Sequence, residues 1–136
     1  MSVKIRDPSL ALQAALKSRI DAALPTTSVL DDVPHNQDYP YIVIGDEDQS
    51  PWFTKDHGGV EIIATVRAWS RGKGSQEVKS LLGTVREKVT QLGLDLSASS
   101  FKVTVVSFDS LQIVREADGL TRQGILRLHF KIEDLT

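Results

Sequence analysis

The sequence contains no cysteine among its 136 residues. Disulfides, thiolate metal sites and cysteine nucleophiles are therefore excluded. Long apolar runs are missing too, because no stretch reaches the roughly 20 consecutive apolar residues that a transmembrane helix needs. No charged-then-apolar segment precedes a cleavage site either. We therefore expect a protein with no membrane partner that is made and used in the cytosol, or carried in a particle assembled there.

The composition is that of a globular protein, with 40% apolar and 25% charged residues. Internal repeats, low-complexity tracts and a second-domain boundary are all absent from the sequence. A chain of this length is long enough to bury about two-thirds of its unfolded surface. We therefore expect residues 1–136 to form a single domain.

Positive charge is scarce in one part of the chain. The formal net charge is −2, which argues against a protein that grips nucleic acid by its phosphates. Residues 31–50 hold six acidic side chains and no Lys or Arg. This segment is either a solvated acidic face or an acidic side that meets the basic side of a neighbouring subunit.

Two segments have the periodicity of amphipathic helices. The first begins after Asp7 and Pro8 and ends before Pro25, and its apolar residues recur every four positions. The second follows a glycine-rich loop and ends at Gly93. The apolar faces of the two helices consist of Leu12, Leu16, Ile20 and Leu24 in the first, and Val78, Leu81, Leu82, Val85, Val89 and Leu92 in the second.

The remaining periodic segments predict strands. Residues 41–44 are continuously apolar, and residues 60–69 and 126–132 alternate. Residues 101–110 form another predicted strand, and residues 111–116 are its continuation or a partner after a bend. Asp118 and Gly119 predict a hairpin, and Gly124 marks a bulge or a close backbone approach. Residues 45–59 read as a long polar connection. The predicted fold is α+β, an antiparallel or mixed sheet of about four to six strands with both helices on one face.

The sequence offers no motif for catalysis, a cofactor or a metal. The polar segment 46–48 lacks the spacing of a calcium loop, residues 71–75 lack the P-loop pattern, and no serine lies in Gly-x-Ser-x-Gly. The three histidines lack the close spacing of paired metal ligands; they are His35, His57 and His129. We therefore predict that the protein is not an enzyme and needs no cofactor.

The features that remain are surfaces. Trp52 and Phe53 lie in a polar segment, where they either tuck back over the sheet or anchor a partner. Basic side chains of the final hairpin form either a solvated strand face or a contact stripe. The candidate assembly-interface residues are Asp46, Glu47, Asp48, Trp52, Phe53, Arg115, Arg122 and Arg127.

Several motifs occur in an order that resembles the tail-terminator, or tail-completion, family of long-tailed phages and gene-transfer-agent particles. Residues 29–34 read Val-x-Asp-Asp-Val-Pro, and residues 40–45 read Pro-Tyr-x-Val-Ile-Gly. Trp69 and Ser70 end a predicted strand, and residues 118–124 read Asp-Gly-x-Thr-Arg-x-Gly. The resemblance covers nearly the whole chain.

The resemblance implies a structural virion protein that forms a hexameric ring at the head-proximal end of the tail tube. Such a ring stops tube growth and joins the tail to the head connector, and DNA passes through its lumen without specific binding. The implied partners are further copies of the chain, the tail tube protein and a neck protein. Two alternatives stay open: another neck or head-completion connector subunit, and a small-molecule-binding protein or enzyme.

Overall fold

A computed structural model describes residues 5–53, 58–72 and 74–136 of the chain. Within these residues the helices are α1 (Ser9–Ala23) and α2 (Gln76–Leu92), with a short 3-10 turn at Ser97–Ser99. The strands are β1 (Ser28–Leu30), β2 (Tyr41–Phe53), β3 (Gly58–Ser70), β4 (Phe101–Arg115) and β5 (Arg122–Asp134). They form one sheet in the order β1-β2-β3-β5-β4. β1 is parallel to β2 and the other neighbours are antiparallel, so the predicted α+β fold is confirmed with a mixed sheet.

Both predicted helices form, and their boundaries follow from local sequence. α1 begins directly after Pro8, whose fixed φ suits a helix start, and it ends before Pro25. α2 ends at Gly93, which adopts a φ of 66° that favours glycine. The buried helix side chains are Leu12, Leu16 and Ile20 of α1, and Val78, Leu82, Val85 and Val89 of α2.

The two helices cover the same face of the sheet. Leu12 of α1 lines a small cleft with Ala64 of β3, and Leu82 of α2 lies against Gly124 of β5. Ala64 is opposite Leu128 in the ladder, and Leu128 is four residues from Gly124 on the same strand. Residues at even spacing on a strand, and direct cross-strand partners, share a face. We call this side the helix face and the opposite side the open face.

The hydrophobic core lies between the helix face and the two helices. The alternation predicted for the last strand is confirmed, because its inward side chains are at most 1% exposed. Deleting any of these large side chains would leave a cavity in the core. The largest fully buried side chains are Phe130, Ile20, Ile42, Ile62, Leu82, Leu126, Leu128 and Ile132.

The predicted polar connection at residues 45–59 is wrong for most of its length. β2 continues to Phe53 and pairs with β3 as far as Gly58; residues 54–57, including His57, lie outside the described residues. The register shifts between Val43 and Asp46, where Gly45 has a φ of 119°. The segment is a strand because its backbone pairs with β3. Its own side chains are polar and mostly exposed, so they give no apolar period to detect.

The last two strands form one long hairpin. Residues 111–116 continue the strand that begins at Phe101, so β4 is one strand with register shifts at 103/105 and 108/110. At the turn, Asp118 accepts hydrogen bonds from the backbone N–H groups of Leu120 and Thr121 at 2.8 Å each. These bonds, with the Thr121 hydroxyl, lower the pKa of Asp118 to about 2. The hairpin predicted from Asp118 and Gly119 is confirmed.

Arg6 ties the segment before α1 to the end of β5. Its side chain donates two hydrogen bonds to Oδ1 of Asp134, at 3.1 and 2.9 Å, and its backbone N–H donates to Oδ2 at 2.9 Å. The guanidinium also lies over the ring of Phe101, 4.3 Å from its centroid. The Arg6 side chain holds the pKa of Asp134 well below its usual range. A buried carboxylate with this many charge-assisted donors stabilises the folded state only while it is ionised.

We therefore expect Asp134→Asn to lower the free energy of unfolding at pH 7 by about 1–2 kcal/mol. The folded-state pKa is depressed, so this stabilisation is present above the ordinary value of 3.8 and is lost as pH falls through the folded pKa. Urea unfolding at a series of pH values should show the wild type and the variant converging below pH 4. A difference that stays constant into strong acid would contradict the assignment. Asp21→Asn, in an exposed pair with Lys17, is the matched control.

Among the described residues, neither helix is long and apolar enough to span a lipid bilayer.

Candidate assembly surfaces

The open face of the sheet is polar, and no described helix covers it. The face is polar because alternate residues of β3 and β5 point away from the core, and most of these residues are polar. Charged side chains of both signs alternate across neighbouring strands. The residues of β3 and β5 on this face include Glu61, Ile63, Thr65, Arg67, Trp69, Arg127, His129 and Lys131.

A histidine joins three strands at the centre of the open face. Nε2 of His129 lies 2.8 Å from a carboxylate oxygen of Glu61, and Nδ1 lies 3.3 Å from the Ser107 hydroxyl. Asp48 and Asp109 line the same hollow of about 430 Å³. Both ring nitrogens are engaged, so the group acts as a polar brace between strands. Among the described residues, no group of three or more histidine or acidic side chains is placed to hold a metal ion.

The two aromatics in the polar segment have different environments. Trp52 is half-buried on the open face, opposite Gly59, and the Lys131 ammonium lies 5.7 Å from its ring centroid. Phe53 is the last described residue of β2 and is 57% exposed. The two aromatic side chains therefore differ in exposure. Trp52 is tucked against the sheet, whereas Phe53 projects from the end of the β2–β3 hairpin.

The three consecutive acids at 46–48 do not share a surface. Asp46 and Asp48 lie on the open face, and Asp46 forms an ion pair with Arg67. Glu47 faces α1 instead, because it is opposite Ala64 in the ladder. Its Oε2 atom is buried without a hydrogen-bond partner, and burial raises the pKa of Glu47. Glu47 therefore stands apart from the predicted interface group.

The basic residues of the final hairpin do not form one stripe. Arg127 lies on the open face, opposite Thr65. Arg115 and Arg122 are direct cross-strand partners next to the β4–β5 turn, on the helix-face side. Like charges placed opposite each other are unfavourable in a sheet. Of the two alternatives left by the sequence, a single contact stripe does not form, because strand alternation sends these side chains to opposite faces.

The connection between β1 and β2 is held in place by Arg71. Its guanidinium lies 4.3 Å from the ring centroid of Tyr39, and its Nε donates to the Thr121 hydroxyl at 3.1 Å. Tyr39 also contacts Tyr41, which stacks on Trp69. Burial raises the pKa of Tyr41. The acidic connection is thereby fixed to the side of the sheet where β1 and β2 lie.

Comparison with known proteins connects this arrangement to one family. A family model described as "Tail completion protein gp17" matches residues 10–133. The chain belongs to this tail-completion family. It is 30% identical over 132 residues to the tail completion protein gp17 of Bacillus phage SPP1, covering 93% of this chain and 95% of the relative. The family resemblance seen in the sequence is confirmed, and the family is one of structural proteins, not of enzymes.

Solved structures agree with the gp17-family assignment. The structure of bacteriophage SPP1 gp17 superposes with a TM-score of 0.62 at 27% identity, covering 94% of this chain and 93% of that one. A chain in a structure described as the virion of a native gene transfer agent particle superposes with a TM-score of 0.79 at 21% identity. It covers 92% of this chain and 96% of that one. At that identity the second match establishes a shared fold.

Sequence reasoning missed two sets of contacts within this gp17-family fold. His129 and Glu61 are 68 residues apart, and Arg6 and Asp134 are 128 residues apart. No local pattern joins such pairs. The first pair has one available signal, the alternation of β3 and β5, which places His129 and Glu61 on the polar side of paired strands; the Arg6–Asp134 pair has none.

Proposed function

We propose that this protein is a virion component that terminates the tail. In this proposal it forms a hexameric ring at the head-proximal end of the tail tube, stops tube growth and joins the tail to the head connector. Assembly takes place in the host cytoplasm, and DNA passes through the lumen without specific binding. The observation that carries the proposal is the match to the tail-completion family over residues 10–133.

The charge of the molecule supports this role. A ring around moving DNA should not hold phosphates, and the chain has a net charge of −2. On the open face, Arg67 is neutralised by Asp46, and Lys131 lies over Trp52. We propose that Asp46 and Asp48 face the lumen or a neighbouring subunit. A ring in which both point to the outer solvent would exclude this placement.

The end of the β2–β3 hairpin supplies a contact for the tail tube. Phe53 is a large apolar side chain that is 57% exposed, at the end of a strand whose residues 46–50 are all polar. Exposed aromatics of this kind become hot spots when a partner covers them. Trp52, directly before it, is fixed by Gly59 and Lys131 and supports the hairpin end. We propose that Phe53, assisted by Trp52, anchors the ring on the tube.

We expect the double change Trp52→Ala/Phe53→Ala to abolish capping, and Phe53→Ala alone to weaken tube binding by about 2 kcal/mol, or roughly 30-fold in Kd. Negative-stain images of tail tubes with added protein will count capped ends, and sedimentation with tubes will give the affinity. Leu10→Ala is the matched control, because Leu10 is 83% exposed on α1. Unchanged capping by the double variant would refute the anchor.

The same images separate the proposed function from the alternatives. A tail terminator forms rings and caps one end of the tube. Another neck or connector subunit binds the portal side of the junction and leaves tube ends bare. A small-molecule-binding protein remains monomeric or dimeric and binds neither the tube end nor the portal side.

A further inference from the structure

The two lateral edges of the molecule have opposite character. We define the β1–β2 edge by Asp31, Asp32, Val33 and Asp38, which follow β1 and are all exposed. We define the α2–β4 edge by Lys79, Arg86, Lys102, Phe108, Leu111 and Arg115. The sheet order places β1 and β4 at opposite ends, so the two edges point away from each other.

The α2–β4 edge combines apolar surface with positive charge. Phe108 and Leu111 of the edge strand are 38% and 39% exposed. The Arg86 guanidinium lies over the Phe108 ring, 3.6 Å from its centroid, which shows the side of α2 that borders β4. Lys79 is seven residues before Arg86 and therefore lies on the same side of the helix. Arg115 lies near the end of β4 on the same face as Phe108 and Leu111, whereas Lys102, near its start, and the acidic Asp109 lie toward the open face.

The edge strand favours contact through side chains. β4 spans Phe101–Arg115, and its second backbone edge has no strand partner among the described residues. Two register shifts interrupt its ladder, and bulges and terminal charges are devices that blunt strand addition. A partner therefore meets the apolar side chains and the cations around them. Phe108 and Leu111 therefore give this surface a small apolar centre.

The β1–β2 edge is the matching surface. Its three carboxylates form no ion pair within the described part of the chain; one of them, Asp31, accepts a hydrogen bond from Gln13 at 3.2 Å. Val33, which directly follows Asp31 and Asp32, is 37% exposed. Arg71 fixes the connection through Tyr39, so this surface is presented in a defined orientation. An exposed valine in an acidic segment thus lies on one side of the molecule, with Arg71 lining the same hollow, and two half-exposed apolar side chains close to basic residues lie on the other.

We propose that the α2–β4 edge of one copy docks on the β1–β2 edge of the next, with Leu111 and Phe108 meeting Val33. The contact is heterologous, so repeated rotation closes a ring, which is the assembly required by the proposed function on which this inference rests. Charge complementarity selects the neighbour and its orientation. Of the six acidic residues between positions 31 and 50, Asp31, Asp32 and Asp38 then belong to a subunit contact.

The cysteine-free sequence allows a direct test by cross-linking. The variant Val33→Cys/Leu111→Cys, assembled with tail tubes and treated with a short bismaleimide, should give a ladder of covalent multimers. A mixture of the two single variants should give dimers alone, because each chain carries one thiol. Val33→Cys/Leu92→Cys is the control, since Leu92 is 59% exposed at the end of α2.

Charge reversal tests the same contact independently. Lys79→Glu/Lys102→Glu should weaken ring formation at least roughly tenfold at low salt, because like charges then face each other. Adding Asp32→Lys/Asp38→Lys to that chain should restore its assembly with itself, while its assembly with the wild type stays weak. Lys88→Glu, an exposed change away from the Arg86 side of α2, should have little effect.

The outcomes separate this inference from the proposed function. A wild-type chain that forms no multimer, alone or on tail tubes, overturns both. Wild-type rings in which the Val33→Cys/Leu111→Cys pair stays uncross-linked, or in which charge reversal has no effect, overturn this contact alone. Intact rings whose DNA retention disappears in Lys79→Glu/Lys102→Glu would assign the edge to DNA phosphates and would also overturn the contact.

Discussion

Replacing Gly59 by alanine should lower the free energy of unfolding by about 3 kcal/mol, near the upper end of the usual penalty for overpacking. A Cβ atom at this position would lie 2.0 Å from the carbonyl oxygen of Ile132 and 2.9 Å from its carbonyl carbon. These are backbone atoms of the neighbouring strand, so no side-chain rotation can relieve the clash. The end of β3 must separate from β5 to accommodate the methyl group.

Chemical denaturation will measure this loss, and amide hydrogen exchange will locate it. Exchange should accelerate at Val60 and Ile132, which are partners in the ladder beside the substitution. The exchange rates of the hydrogen-bonded amides within α1 should change less than those of Val60 and Ile132. Unaltered stability together with unaltered exchange at Val60 would show that the close approach of the two strands is not a feature of the folded protein.

Gly124→Ala and Gly83→Ala should change stability in opposite directions. A Cβ atom on Gly124 would lie 2.4 Å from Leu82 and 2.7 Å from Val78, so α2 would have to shift away from the sheet. We expect a loss of about 2 kcal/mol. Gly83 is exposed within α2 and its added Cβ would meet nothing within 4 Å, so alanine there should stabilise the helix by roughly 0.5–1 kcal/mol.

Urea or thermal unfolding of the two single variants will test this difference in sign. Combining Gly124→Ala with Val78→Ala should cost less than the sum of the two single changes, because the smaller side chain removes one of the two clashes with the new methyl group. If Gly124→Ala left the unfolding midpoint unchanged or raised it, the packing of α2 on Gly124 would have to be revised.

Amphipathic elements were predictable from the sequence because their own side chains carry the signal. α2 and β5 bury residues at the helical and strand periods, and Gly124 was identified as a position of special packing. Its role is a close approach to α2 rather than a bulge, because the ladder with β3 and β4 is unbroken at Gly124. The distal half of β2 was missed because β3 supplies the order there and the polar side chains from Asp46 onward leave no apolar pattern.

For the candidate interface residues too, the sequence alone does not show which face of the sheet each side chain occupies. Composition identifies Trp52 and Phe53 as unusual, but only the pairing of β2 with β3 distinguishes the covered indole from the exposed phenyl ring. Likewise, adjacency in sequence suggested that Glu47 belongs with Asp46 and Asp48. Strand alternation places Glu47 on the opposite side of the sheet, because the period of a strand is two.

The central position of β3 and β5 in the sheet bears on how the chain reaches its folded state. Each of these strands first meets a close sequence neighbour, in the β2–β3 and β4–β5 hairpins, whereas residues paired between β3 and β5 are more than fifty positions apart. Local contacts form quickly, but joining distant segments carries the entropy of closing a long loop. We therefore expect the pairing of β3 with β5 to be the slow step of folding, and until it forms each hairpin has an unpaired edge that can aggregate.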